Sequence, residues 1–286
     1  MYAAIINGLL IGGFYALVAL GLSIVFGVLK LINLAHGELI VAGAYLAYLL
    51  ALHAHLGLWA VLPIAALAVG IVAYLLQRGL LTGLLLRGQE GALVATFGLS
   101  LLAQGLFTQW FSSAPRSMSS SLATSGVNLF GVQTRLAYLV TFVVALVLCG
   151  AAHLVLAHTR VGAVVHAAAT DPATSQLVGI DVRRVYALTF AIAAAAAAAS
   201  GALLAINFSF TPTTGSAYLL IGIAVVVIGG VGNVAGTVVG ALLLGVVQSV
   251  AVEMFGGGYR DLAVYLVFFL VLTARPQGLL SRSRAA

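Results

Sequence analysis

Charge is scarce in this sequence. Only 6% of its 286 residues are Asp, Glu, Lys or Arg, against about 25% in a soluble domain whose surface must face water. That shortage excludes an ordinary soluble globule and implies a surface turned to lipid. Lysine occurs once, at Lys30, and the residues before it, Gly27, Val28 and Leu29, do not form the GxxxxGK[ST] loop that cradles phosphates. The chain therefore carries no ATPase of its own. The single cysteine, Cys149, has no intrachain partner for a disulfide. The six histidines lack the Cys, Asp or Glu neighbours of a metal site, and neither GxSxG nor HExxH occurs. The 12 basic against 6 acidic residues are too scattered to form a face for nucleic acid. No catalytic residue, metal or cofactor is expected.

What the chain does have is 63% hydrophobic residues and 33 glycines. Lipid cannot hydrogen-bond a backbone, so each long uncharged block should be helical. Residues 3–29 give one span, too long and without the basic start of a cleaved signal peptide. Residues 39–77 give two, joined by a turn at His53, His55 and Gly57, and residues 91–115 and 136–159 give one each. The serine-rich stretch 112–135 reads as an extramembrane loop. Residues 185–206 form another span, ending at the turn-rich Ser209 to Gly215. Beyond it, Gly229, Gly230, Gly232, Asn233 and Gly236 split the apolar sequence into pieces that read as a broken or re-entrant helix pair near 217–250, with two tilted full spans as the alternative. The last block, 262–274, is short enough that it must recruit preceding residues, with Arg260 snorkelling outward. The expected fold is one all-α transmembrane domain, 1–286, of about seven to eight spans.

Short loops rich in basic residues stay on the cytoplasmic side. Arg78 with Arg87, Arg160 with Arg183 and Arg184, and Arg275 with Arg282 and Arg284 fall on one face if the pair re-enters, which places the N-terminus outside and loop 158–184 in the cytoplasm. Gly8 with Gly12, and Gly236 with Gly240, have the spacing that lets helix backbones approach.

Polar groups inside the spans are the candidates for a solute route. Asn33, His36 and Glu38 lie between the first two spans, where a broken helix would set Glu38 at a positive helix end; a capped turn that merely meets water is the alternative. Thr96, Ser100 and Gln104 recur every four residues and share one helical stripe. It faces either a pathway or, through local bonds, its own helix and a neighbour. Asn207, with Thr211 and Thr214, closes an outer loop as a gate or as simple caps. In loop 158–184, Thr170-Asp171-Pro172 reads as the capped start of a short helix ending at Gly179-Ile180, either a knob for a soluble partner or an ordinary connector.

Several stretches, in order along almost the whole chain, resemble the LivH-type permeases of bacterial branched-chain amino acid ABC importers. They are Gly13-Phe14-Tyr15-Ala16-Leu17, the run Gly27 through Glu38 followed by Gly43-Ala44-Tyr45, Ala95 through Ser100, Asp171 through Ile180, Gly229-Gly230-Val231-Gly232-Asn233, and Arg275-Pro276-Gln277-Gly278-Leu279. The resemblance implies a non-catalytic permease subunit of the bacterial inner membrane that moves solute by alternating access. Its implied partners are a second permease subunit (a different chain, or alternatively a second copy of this one), two cytoplasmic ATP-binding subunits and a periplasmic solute-binding protein. It also makes Thr170, Asp171, Gly179 and Ile180 the contact with the ATPases. Two features depart from the family: the plain alanine run Ala193 to Ala199, and Asn233 where relatives commonly have serine. Related members carry urea, short amides or aromatic acids, so a urea or amide permease is one alternative. A self-contained carrier or channel using Glu38 and His36 is another, and a purely structural membrane subunit a third.

Overall fold

The computed structural model describes residues 1–85, 88–129, 131–275 and 277–280. Arg87, Pro276, Arg282 and Arg284 lie outside the described residues. In chain order the elements are α1 Tyr2–Leu29, α2 His36–Ala54, α3 Leu58–Leu76, a π turn Gln77–Leu81, α4 Thr82–Leu85, α5 Gln89–Phe111 and α6 Ser121–Thr124. After the strands β1 Gly126–Leu129 and β2 Val132–Arg135 come α7 Leu136–His158, α8 Arg160–Thr170, α9 Pro172–Leu177 and α10 Val182–Asn207. α11 Thr214–Gly229, α12 Val234–Phe255, a 3-10 turn Gly257–Tyr259 and α13 Arg260–Ala274 complete the chain. Among the described residues, 8 helical runs are long and apolar enough to cross a membrane, and α11, of 16 residues, is shorter.

Helix formation follows the gaps between charges, and packing follows the small residues. α1 lies against α12 because a Cβ added to Gly8 or Gly12 would press on the backbone at Val246 or Leu242, and one at Gly245 on Gly8 and Gly12. α10 lies equally close to α2. A Cβ at Gly201 would overlap the carbonyl oxygen of Ile40, and one at Gly43 the backbone of Ala198. The alanine run in α10 thus has a packing role, with Ala193, Ala194, Ala197, Ala198 and Ala199 all buried where α1 and α2 meet α10. Side chains this small let backbones touch without any hydrophobic drive between them.

The glycine-rich break near 229–236 sits differently from the expectation. α12 is 22 residues long, capped by Asn233, whose Oδ1 accepts the Gly236 N–H at 3.1 Å. Gly236 and Gly240 do not interrupt it; they pack on Gly229 and Val225 of α11. The turn between them touches Gly27 near the end of α1 and Gly278 of the tail, so the α11–α12 hairpin reaches one end of the bundle. At the opposite end the Met1 ammonium pairs with Glu253. The interruptions enclosed by protein lie elsewhere, at residues 30–35 and 208–213, where Leu31, Asn33 and Phe210 are buried. The serine-rich loop contains a small antiparallel hairpin, β1–β2, pinned to α1 where the Thr134 hydroxyl donates to Asn7 Oδ1 at 3.0 Å.

Candidate functional site: a buried carboxylate where two helices begin

α1 ends at Lys30, whose φ of 51° turns the chain out of the helix. Residues 30–35 then run back along the bundle. The backbone N–H of Leu34 donates to the Thr96 hydroxyl of α5 at 3.3 Å, and that of Ala35 to Asn33 Oδ1 at 3.1 Å. α2 therefore starts deep: His36 is fully buried, and its Nε2 lies 3.1 Å from the carbonyl oxygen of Val18, well inside α1. A carbonyl only accepts, so Nε2 carries the ring proton. The Nδ1 of His36 has no partner.

Two residues on, Glu38 is 4% exposed, which sets aside the reading of a turn that merely meets water. Its Oε1 accepts from Ser100 Oγ at 3.2 Å and from Gln104 Nε2 at 2.8 Å. Ser100 is the midpoint of α5, so the carboxylate sits at mid-height. Gln104 also reaches Ser216 Oγ at 3.3 Å, in the first turn of α11. The start of α11 meets the start of α2 directly: a Cβ on Gly37 would overlap the carbonyl of Gly215, and one on Gly215 would lie 3.1 Å from Glu38 Oε1. Two positive helix ends therefore converge on one buried carboxylate. Its second oxygen, Oε2, is buried without a partner.

Of the six residues singled out in this region, Glu38, Ser100 and Gln104 are joined directly, and Thr96, on the same helix, holds the linker at Leu34; Asn33 bonds within that linker and His36 is directed to α1. Asn207 is not part of this group. It donates to Thr141 Oγ1 at 2.7 Å and to the Leu203 carbonyl at 2.8 Å, tying α10 to α7. Thr211, Thr213 and Thr214 form a small hydroxyl cluster before α11. Ser216 is a member that sequence reasoning passed over, because it follows directly on a turn-rich stretch and has no periodic partner. The close approach of Gly37 and Gly215 was likewise hidden, since it joins segments far apart in the chain.

At the end of the bundle shared with the α11–α12 turn, α8 and α9 project as a short unit. The Asp171 Oδ1 accepts from the backbone N–H groups of Ala173 at 3.0 Å and Thr174 at 3.1 Å, and Pro172 opens α9. The Thr174 hydroxyl and these N–H donors hold the Asp171 carboxyl below the usual carboxylate range. Beyond it Leu177 is 87% and Val178 72% exposed, and Gly179 turns the chain with φ of 87°. Thr170, Asp171 and Gly179 are exposed and Ile180 is half-buried.

Eight apolar runs and a polar junction enclosed at mid-height define a polytopic membrane protein with a solvated, capped loop at one end. Residues 4–273 match the family described as "Branched-chain amino acid transport system / permease component", and the chain belongs to it. It is 31% identical to the high-affinity branched-chain amino acid transport system permease protein BraD of Pseudomonas aeruginosa, over 97% of this chain and 95% of that one. To the LivH permease of Escherichia coli K12 it is 28% identical, over 96% and 94%. A more distant relative is the ribose import permease RbsC of the same organism, 27% identical over 72% and 65%. No solved structure matches significantly.

Proposed function

We propose that this chain is the permease subunit of a bacterial inner-membrane importer for branched-chain amino acids. In this reading it moves solute by alternating access, driven by two cytoplasmic ATP-binding subunits and fed by a periplasmic solute-binding protein. A second permease subunit completes the pathway. The observation that carries the reading is the Glu38 junction. Two interrupted helices begin against each other at mid-height, the kind of break that is tolerated where protein or a water-filled route surrounds it. Asn33, His36, Glu38, Thr96, Ser100 and Gln104 line that route, and Asn207 braces α10 beside it. The proposed sidedness puts the end bearing Arg78, Arg160, Arg183, Arg184 and Arg275 in the cytoplasm. The α8–α9 unit is then the handle for the ATP-binding subunits. Thr170 and Asp171 fix its shape, Leu177 and Val178 offer apolar contact, and Gly179 and Ile180 lead back into the bundle.

The experiment is uptake of labelled L-leucine into sealed vesicles holding the full system. Import that needs both ATP and the binding protein supports the reading. Leucine flux through this chain alone, driven by a gradient and indifferent to ATP, would give it to a self-contained carrier. Import of urea in preference to leucine would reassign the solute.

A further inference from the structure

Arg260, expected to snorkel away from the bundle, is turned into it. α12 ends at Phe255, Gly256 takes φ of 92°, and the turn Gly257–Tyr259 delivers Arg260 to the head of α13. There its Nη2 donates to the Tyr15 hydroxyl at 3.0 Å, and the guanidinium stands 5.9 Å from the centre of the Phe208 ring. The Tyr15 hydroxyl in turn donates to Gln248 Oε1 at 2.5 Å. That leaves the Nε2 amide of Gln248 without a partner, although the residue is only 2% exposed. A guanidinium drawn in from water needs an anion or several acceptors. Among the described residues no carboxylate hydrogen-bonds it.

Arg260 and Gln248 both border a cavity of about 550 Å³, within the range of sites for small molecules. Ile11, Val252, Tyr138 and Phe208 give it apolar walls, and Glu253, already holding the Met1 ammonium, stands at its edge. Opposite charges set around an apolar space suit a dipolar solute with an aliphatic side chain. A neutral solute such as urea could hydrogen-bond the same groups but would gain nothing from their opposite charges or from the apolar walls. The cavity lies at the end of the bundle opposite the α8–α9 unit, and the Phe14–Tyr218 ring pair connects its Phe208 wall to α11, which begins at the Glu38 junction.

We propose that this cavity is a subsite for a small zwitterionic amino acid. Arg260 and the Gln248 amide take its carboxylate, Glu253 takes its ammonium in exchange for that of Met1, and the apolar walls hold its side chain. The assignment rests on the transport reading above and adds the station where solute is held before it reaches the junction.

The test is equilibrium dialysis of labelled L-leucine against the purified full complex without its solute-binding protein, in parallel with vesicle uptake. Native complex is expected to bind leucine. 3-Methylbutylamine, lacking the carboxylate, and 4-methylpentanoate, lacking the ammonium, should each need about tenfold or more higher concentration to displace it, a difference of roughly 1.4 kcal/mol. Arg260→Gln and Gln248→Leu should each weaken binding by about tenfold or more, with Arg260→Lys between them and the native protein. Arg260→Lys, which keeps the positive charge at the cavity, carries the test where Arg260→Gln fails to fold. Native vesicles that import no leucine would overturn the transport reading. Native vesicles that import it, while binding and half-saturation are unchanged in Arg260→Gln and Arg260→Lys, would overturn the subsite alone. So would a native complex that binds no leucine but retains phosphatidylglycerol that Arg260→Gln releases, which would give the cavity to a lipid headgroup.

Discussion

In its most apolar stretch α1 has 83% of its residues buried and α10 has 78%, whereas α5 and α7 each have 17% and the run through α13 has 6%. The two buried helices and the edge helix α5 use glycine in opposite ways. Gly201 of α10 and Gly8 and Gly12 of α1 are clamped against neighbouring backbone, while Gly91, Gly98 and Gly105 of α5 have nothing within 4 Å of where a Cβ would be. Yet α5 supplies the Ser100 and Gln104 that hold Glu38. A rigid pair thus fixes the place where α2 and α11 begin, and a loosely held helix brings the polar groups that grip it. A transporter needs this division, because its pathway must change while its frame does not.

The contrast can be broken most sharply at Gly201. Gly201→Leu would drive a side chain into the Ile40 carbonyl, and we expect a loss above about 4 kcal/mol, seen as collapsed yield and unfolding midpoint in detergent. Gly98→Leu on α5 should leave that midpoint within about 0.5 kcal/mol of native. Equal effects at the two positions would end the distinction. Next in size is Glu38→Leu, which strands the buried Ser100 donor at a cost of about 1–3 kcal/mol and leaves Gln104 only its bond to Ser216. Glu38→Gln, which can still accept through its amide oxygen, should be milder in the same melting assay. Altering the handle should cost the frame much less than Gly201→Leu. Asp171→Lys combined with Gly179→Trp removes the α9 cap and strains the turn, a loss of about 1–3 kcal/mol, and is expected to lower ATP-driven uptake by about tenfold or more and to weaken co-purification of the ATP-binding subunits.

The smallest effect concerns pH. Donors from Thr174 and the α9 backbone favour the ionised Asp171, so its folded value lies below its unfolded one. The cap's contribution is then complete above the unfolded value of about 3.9 and is lost as pH falls through the lower folded value. Titration of carboxyl-labelled aspartate by NMR should place the Asp171 midpoint below about 3.9, and Thr174→Ala should move it upward.

Much of this frame was readable in the sequence, because charges and turn residues mark where a helix leaves lipid. The ends of α1, α3, α7 and α10 fall close to the limits of the uncharged blocks, and His53 to Gly57 mark the α2–α3 turn. The stripe Thr96, Ser100, Gln104 was visible through its period of four, and the structure resolves its direction, toward Glu38 and the linker. Glycine was harder to interpret. It breaks the chain at 230–233 but packs silently at Gly236 and Gly240, and only the partner helix distinguishes the two uses. The same holds for Glu38, whose burial depends on the start of α11, and for Arg260, whose direction depends on Tyr15 and Phe208. The β1–β2 hairpin left no trace because its strands are short and polar.

The end of the bundle near Gly27 is fastened by the tail. The Leu279 N–H donates to the Ile228 carbonyl at 2.8 Å, and Asn233 Nδ2 donates to the Leu280 carbonyl at 2.9 Å, so residues 278–280 bridge the foot of the α11–α12 hairpin. The clasp follows closely on α13, which itself lies against α11 and α12. Helix and clasp therefore grip the same hairpin at two heights, and loosening one leaves the other as its remaining hold.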